Sequence, residues 1–399
     1  MRILLLTQVL PYPPDSGPKI KTYHVLRYLA QRHAVYLVSF IRSGAEREHI
    51  PVLRKYCQEV HTVPIRRSRP RDGLAFARSL ADGRPFLVVR DDDPRMHRTI
   101  AEVMARAPVD AVHADQLTMA QYALPLEGVY RVLDAHNAVW TIFHQMARRT
   151  PPGPRKWALD LEWRKLKGYE GEIGRRFDAV TAVSEEDREA LVEAGCPPDR
   201  ITVIPIAVDT EEIRPAERAP DAFGILHIGT MYWPPNIDGV LWFARRVYPL
   251  IRERCPDVPF YVVGARPPEE IRALEEEIPG VRVTGYVEDP RPYIQQSGVF
   301  IVPLHAGSGM RVKILTAWAW GIPVVSTTVG CAGIPVHPGT DILVADGEAE
   351  FAAAVLRVLE DRGTAARLAA AGRRYAEEQF DWRVVCRKLD EVYAAVEGR

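Results

Sequence analysis

The sequence predicts an α/β protein built from two doubly wound parallel sheets that face one another across a cleft. Three observations carry this. Short, near-continuous apolar runs alternate with segments of helical period, which is how a parallel sheet covered on both faces reads. The alternation stops once, in a polar, proline-bearing stretch, and then restarts. The 399 residues also exceed what one hydrophobic core ordinarily holds.

In the first half, residues 2–9, 34–40, 60–65, 109–114, 130–135, 179–183 and 201–206 read as buried strands. Between them, segments such as 20–31 and 185–193 place apolar residues at i, i+3 and i+4 and read as helices. Residues 209–223, DTEEIRPAERAPDAF, are charged and hold two prolines, so they read as the linker. Strands resume at 224–229, 260–263, 281–287, 299–303, 323–327 and 342–345, and an amphipathic helix closes the chain over 381–396. The expected division is a first domain over 1–208, the linker over 209–223, a second domain over 224–380 and a terminal helix over 381–399.

Lys plus Arg and Asp plus Glu each number 52, so no global charge calls for nucleic acid. Five cysteines (Cys57, Cys196, Cys255, Cys331, Cys386) are scattered and never spaced as C-x-x-C. That suits a reducing cytosol and argues against a zinc knuckle or a disulfide framework. The opening MRILLLTQVLPYPP reads as a strand followed by prolines rather than a secretory leader. No apolar run reaches the roughly 18 residues that a membrane span needs. A cytoplasmic location follows as the expectation.

Some local clusters stand out. Asp91, Asp92 and Asp93 contain the Asp-x-Asp spacing of a metal–diphosphate motif, but precede Pro94 in a polar stretch and read as a solvated loop. RRSRPR at 66–71 and the basic run at 155–177, with Trp157 and Trp163, suit an anionic membrane surface. The competing reading of the second run is an ordinary helix whose Trp163, Leu166, Ile173 and Phe177 face the core. No G-x-S-x-G elbow is present, so no hydrolase triad is indicated.

The most informative stretch is VPLHAGSGMRVKILTAWAWGIPVVST at 302–327. A strand end leads into a small-residue loop (Gly307, Ser308, Gly309), then a helix whose first turn carries Arg311 and Lys313. Cations there oppose the helix dipole by about 0.3–1 kcal/mol each. A bound diphosphate reverses that penalty, using the free N–H groups as well. The alternative is a Gly-rich loop with two solvated cations. Trp318 and Trp320, further along the helix, read as packing. The segment is not a Walker A loop, and G-x-G-x-x-G is absent.

This segment resembles the donor-site signature of glycosyltransferase family 4, a family with the GT-B fold of two Rossmann-like domains. Gly307, Gly309, Arg311, Lys313, Ile314, Leu315, Gly321, Pro323, Val324 and Val325 match. Further motifs follow in the family's order: Pro13, Pro14 and Gly17 after the first strand; LDAHN at 133–137; AVTAVSEED at 179–187; VIPIAVD at 203–209; VTGYVED at 283–289.

The resemblance implies a retaining, metal-independent transfer from a nucleotide sugar, UDP- and GDP-sugars foremost. The donor is a substrate, and no cofactor is expected. The acceptor would be a glycan, a lipid-linked sugar or a small molecule, met by the first domain, with the terminal helix crossing back to that domain. It assigns catalytic roles to His136, Arg311 and Lys313, and donor contacts to Gly17, Thr230, Tyr286, Val287, Gly307, Ser308, Gly309, Met310 and Thr316.

Three departures from the family pattern stand out. Ser308 and Thr316 occupy the positions of its two glutamates, the second of which holds ribose hydroxyls. Thr230 and Asn236 replace its Arg and Lys after the first strand of the second domain, and Ile206-Ala207 replaces its Asn-Gly. Two other readings share these motifs: a non-catalytic GT-B module that binds nucleotide or glycan, and a sugar-nucleotide epimerase of the same fold.

Overall fold

The computed structural model describes residues 1–219, 222–307 and 309–397. It divides into two compact units, Met1–Ile206 with the chain end from Val385 onward, and Ala207–Val384. Residues 209–219, read as linker, thus belong to the second unit. Asp209 there accepts the N–H groups of Glu211 and Glu212, and Thr210 donates to Asp381 Oδ2 at 2.6 Å.

The first unit holds seven parallel strands in the order β3-β2-β1-β4-β5-β6-β7. They are β1 Arg2–Thr7, β2 Ala34–Ile41, β3 Glu59–Pro64, β4 Ala111–Asp115, β5 Tyr130–Ala135, β6 Ala179–Ala182 and β7 Ile201–Val203. β1 pairs with β2 on one side and β4 on the other, so the strand order reverses there. In such sheets the crevice beyond the strands' carboxyl ends at that reversal takes ligands. Buried Leu4, Leu6, Val38, Val112 and Leu133 supply the sheet's part of the core, and Leu166, Ile173 and Phe177 cover it.

The second unit repeats the plan with six strands in the order β10-β9-β8-β11-β12-β13. These are β8 Gly224–Ile228, β9 Phe260–Val263, β10 Val281–Gly285, β11 Ser297–Val302, β12 Val324–Ser326 and β13 Leu343–Val344. Phe243, Phe260, Val262, Ile301 and Phe351 lie at its core. Several strands stop short of their apolar runs: β10 ends at Gly285, whose φ of 72° turns the chain out of the sheet. Tyr286 and Val287 therefore lie in the loop beyond the strand.

The terminal helix is broken into Trp382–Val385 and Lys388–Glu397. The second piece belongs to the first unit, where the buried Tyr393 hydroxyl lies 2.9 Å from His113 Nδ1 and Asp390 accepts from Tyr28 and Arg32. Truncating a fully buried aromatic leaves a cavity as well as exposed apolar surface. Tyr393→Ala is therefore expected to cost about 3–5 kcal/mol, read by chemical denaturation, and Tyr393→Phe about 1 kcal/mol.

Candidate active site

The second unit builds its site where the loop after β11 enters the helix Val312–Ala319. Gly307 and Gly309 sit at φ 120° and 80°, a region that side chains disfavour. A Cβ at Gly307 would also stand 2.6 Å from Arg311 Nη2, so the glycine makes room for the guanidinium. Arg311 is the N-cap rather than part of the first turn, and donates from Nη1 to Gly309 O at 2.8 Å. Its guanidinium lies 5.5 Å from the ring centre of Trp233. Ser308 lies outside the described residues.

Lys313 donates to Asn236 Oδ1 at 2.9 Å, and Asn236 Nδ2 donates to Thr230 O at 2.9 Å. This relay ties the helix start to the end of β8. It is close-packed: a Cβ on Gly229 would lie 2.7 Å from Lys313 Nζ, and one on Gly264 would lie 1.7 Å from Gly229 O. Burial lowers the Lys313 ammonium to about 7, helped by the Arg311 charge, and lowers Arg311 to about 10. Neighbouring His227, fully buried, is driven well below its ordinary value by burial and then by Lys313. Two cations at the positive end of a helix, partly stripped of water, form a socket for an anion.

The other residues the resemblance assigns to the donor are placed as follows. Met310 is buried, its Cα 3.5 Å from where a Cβ on Gly333 would stand. Thr230 is exposed after β8, and Thr316 donates its hydroxyl back to Val312 O at 3.1 Å, leaving only its lone pairs for a ligand. Tyr286, 76% exposed, lines a cavity of about 690 Å³ with Arg266, Arg272, Glu275 and Glu276. Arg266 also stacks on Tyr232 at 5.6 Å. Sequence reading passed over Arg266, although it follows β9 as Thr230 follows β8.

In the first unit His136 stands just past β5, buried, with Nε2 2.9 Å from Asp115 Oδ1 at the end of β4. Asp134, also buried, meets Lys21 Nζ at 2.6 Å and accepts from Thr181 Oγ1 at 2.6 Å. Burial pushes the Asp134 carboxyl up, but Lys21, the His113 hydrogen bond and His136 outweigh it and hold it well below the carboxylate range. Lys21 and Thr22 come from the helix Gly17–Leu29, with Gly17 at its first position. Thr22 Oγ1 donates to Asp115 Oδ1 at 2.8 Å. Asp115, Asp134 and His136 bring ligand atoms within 4.8 Å of one another, a spacing a metal ion could use, although the Lys21 ammonium already neutralises Asp134.

Two carboxylates hold the chain that follows His136. Asp187 accepts the Ala138 N–H at 2.8 Å, and Glu170 accepts those of Val139 and Trp140 at 2.7 and 3.1 Å. Ser184 caps the helix Glu185–Glu193 through the Asp187 N–H, so AVTAVSEED serves as a brace for the His136 loop. Burial raises the Glu170 carboxyl to about 8 and also raises Asp187.

The acidic run is not a solvated loop. Asp91 is fully buried between Gln8 and Arg67, each at 2.7 Å, Asp92 meets Arg84 and His97, and Asp93 caps the helix Pro94–Arg106. Every carboxylate in it is thus committed to protein partners. The basic run forms the helix Pro154–Arg176, with Leu166 and Ile173 in the core. Lys156, Lys165, Lys167 and Arg176 bond within the protein. Trp318 is buried and donates to Asp341 O, as packing requires.

Comparison with known proteins gives these features a lineage. The Glycosyltransferase Family 4 model matches residues 17–212, and the Glycosyl transferases group 1 model matches 222–361. The chain belongs to glycosyltransferase family 4.

An uncharacterized 44.6 kDa protein from the cps region of Klebsiella pneumoniae is 20% identical over 398 residues, 95% of this chain and 96% of that one. The GDP-mannose-dependent alpha-(1-6)-phosphatidylinositol monomannoside mannosyltransferase of Mycobacterium tuberculosis is 30% identical over 243 residues, 54% of this chain and 62% of its own. Among solved structures, Anabaena HepE in complex with UDP aligns at TM-score 0.68 and 15% identity, covering 99% of this chain and all 100% of that one. This chain is a glycosyltransferase.

Removing the Glu170 carboxylate leaves two backbone N–H groups at the start of the helix Val139–Arg149 without their acceptor. Glu170→Ala is expected to cost about 1–3 kcal/mol in thermal or chemical unfolding. Exchange of the Val139 and Trp140 amides should quicken in the variant; unchanged protection would show that the carboxylate does not brace this loop.

Proposed function

We propose that this glycosyltransferase moves a hexosyl group from a UDP- or GDP-sugar to a glycan, lipid-linked or small-molecule acceptor, with retention and without a metal ion or cofactor. The observation that carries the reading is the Arg311–Lys313 pair behind Gly307 and Gly309. As the anomeric C–O bond breaks, negative charge grows on the departing diphosphate, and these cations with the helix N–H groups stabilise it. The acceptor oxygen bonds the anomeric carbon on the same face, and its proton passes to a phosphate oxygen of the leaving group. His136, held by Asp115, is the side chain assigned to the transferred sugar. Tyr286 and Val287 are assigned to the base, with Gly17, Thr230, Met310 and Thr316 around the rest of the donor.

The relatives support a nucleotide-sugar donor: HepE was crystallised with UDP and with UDP-glucose, and the mycobacterial mannosyltransferase depends on GDP-mannose. A lipid-linked acceptor would bring the chain to the cytoplasmic face of a membrane. The Thr316 hydroxyl tied to Val312 O favours a second reading, a binding module without turnover, because no carboxylate is offered to a ribose there.

Titration calorimetry with UDP and GDP tests the phosphate socket. Arg311→Ala should weaken binding by roughly ten- to a hundredfold, the worth of hydrogen bonds to a charged group; unchanged affinity removes the assignment. Release of nucleotide from a UDP-, GDP-, ADP- and dTDP-sugar panel, with and without acceptors, separates the enzyme from the inert module.

A pH dependence follows from Lys313. Its free pKa is about 7, and a diphosphate favours the ammonium and raises it. Binding should therefore take up a proton above pH 7, and affinity should fall as pH rises through and beyond that value. Calorimetry in buffers of different ionisation enthalpy measures the uptake, and Lys313→Arg should abolish it.

A further inference from the structure

The helix Arg69–Asp82 is anchored to the first unit by little: Ala75 and Ser79, one turn apart, are its buried residues. Ser79 Oγ donates to Arg84 O and receives Lys165 Nζ at 3.1 Å. The opposite side faces solvent, with Leu74 63%, Phe76 39% and Leu80 46% exposed. At 100° per residue, Phe76, Leu80, Gly73, Ala77, Ala81 and Leu74 follow one another around roughly 160° of the helix. Arg69 interrupts this apolar face only at the helix start, where a long side chain can lift its charge clear. An exposed apolar face of this kind marks a docking surface.

Most of the charges beside it are positive, with Asp72 bordering the face on the Phe76 side. Arg71 and Arg78 border the apolar face, Arg66 precedes it, and Arg66, Arg69, Arg71 and Arg78 form no ion pair among the described residues. A cavity of about 310 Å³ opens next to them at the carboxyl end of β3, lined in part by Arg66, Arg71, Arg78 and Arg90. Two of its carboxylates, Asp92 and Asp93, are held by Arg84 and Arg95, which leaves Asp72 against these arginines. A protein partner could cover the apolar stripe, but arginines along its border and an arginine-lined recess match anionic phosphates beneath an apolar layer.

We propose that the helix Arg69–Asp82 docks this glycosyltransferase on an anionic phospholipid surface, its apolar face at the acyl boundary and its arginines on headgroup phosphates. Nucleic acid would use the arginines but leave Leu74, Phe76 and Leu80 in water. The helix Pro154–Arg176 offers less for this role: Leu166 and Ile173 face the core, most of its cations are bonded within the protein, and Trp157 is its one large exposed apolar residue. The proposal extends the lipid-linked reading of the acceptor but does not depend on it, because docking needs neither donor nor transfer.

The test is co-sedimentation of the full chain with vesicles of phosphatidylcholine alone and of phosphatidylcholine with about one third phosphatidylglycerol. Binding to the anionic vesicles only, weakening with salt, is expected. The combined Leu74→Asp, Phe76→Asp and Leu80→Asp variant should lower the partition coefficient at least about tenfold. Arg71→Ala with Arg78→Ala should lower it by roughly twenty-five-fold, about fivefold per arginine. UDP affinity should be unchanged in both variants, and Tm in the arginine variant; the triple variant, which loses the Phe76–Phe86 ring contact, is checked for a cooperative thermal transition. Equal binding to neutral vesicles, binding to neither, or unaltered binding by the variants overturns the proposal. So does concentration-dependent self-association that Leu80→Asp abolishes, which would make the face a protein interface. Loss of nucleotide binding with vesicle binding intact would instead count against the donor site alone.

Discussion

Two positive charges held side by side, partly out of water, at the positive end of a helix impose the constraint around which the second unit's site is arranged. Burial and mutual repulsion disfavour the charged forms of Lys313 and Arg311, which is why the lysine falls to about 7. A folded protein keeps such a pair only if neighbouring groups hold it. Asn236 supplies the hydrogen bond to Lys313, and Gly229, Gly264 and Gly307 supply the space. Small residues here are a consequence of how tightly the strand ends approach the cations.

The first unit solves the opposite problem, two buried carboxylates. Asp134 is balanced by Lys21, while Asp115 accepts from the Thr22 hydroxyl and lies 2.9 Å from His136 Nε2, so groups from helix and strand ends together hold the two carboxylates. The loop bearing His136 is then held from behind by Asp187 and Glu170. This gives a physical reading to the AVTAVSEED motif: Ser184 caps one helix by accepting the Asp187 N–H, and the Asp187 carboxylate fixes the turn after β5. Sequence reading singled out His136 and the motif, but not the bonds that join them.

The charged runs show where local reading misjudges. Three consecutive aspartates before a proline look solvated, yet Asp91 is buried because Gln8 at the end of β1 and Arg67 after β3 converge on it. The basic run at 155–177 looks like a surface for anions, yet its long helix turns Leu166 and Ile173 inward and several of its cations to protein acceptors. The exposed apolar and basic face lies instead on Arg69–Asp82, whose two buried residues are small or polar and so raise no core signal in the sequence.

By itself the sequence determined what depends on near neighbours along the chain. Apolar periodicity announced two parallel sheets, and the strand–glycine-loop–helix order announced where Arg311 and Lys313 stand beside Gly307 and Gly309. Some strands, such as 130–135 and 260–263, were read to the residue, while others were overrun, because apolar character continues where a glycine such as Gly285 has already turned the backbone away. Only the tertiary structure decided which groups meet across distance: Lys313 with Asn236, 77 residues apart, Thr22 with Asp115, 93 apart, and His113 with Tyr393, 280 apart. The first two follow from the strand orders that place β11 beside β8 and β4 beside β1, and the third from the return of the terminal helix to the first unit. No local pattern encodes them, because a hydrogen bond or ion pair depends on separation in space and not on spacing in sequence.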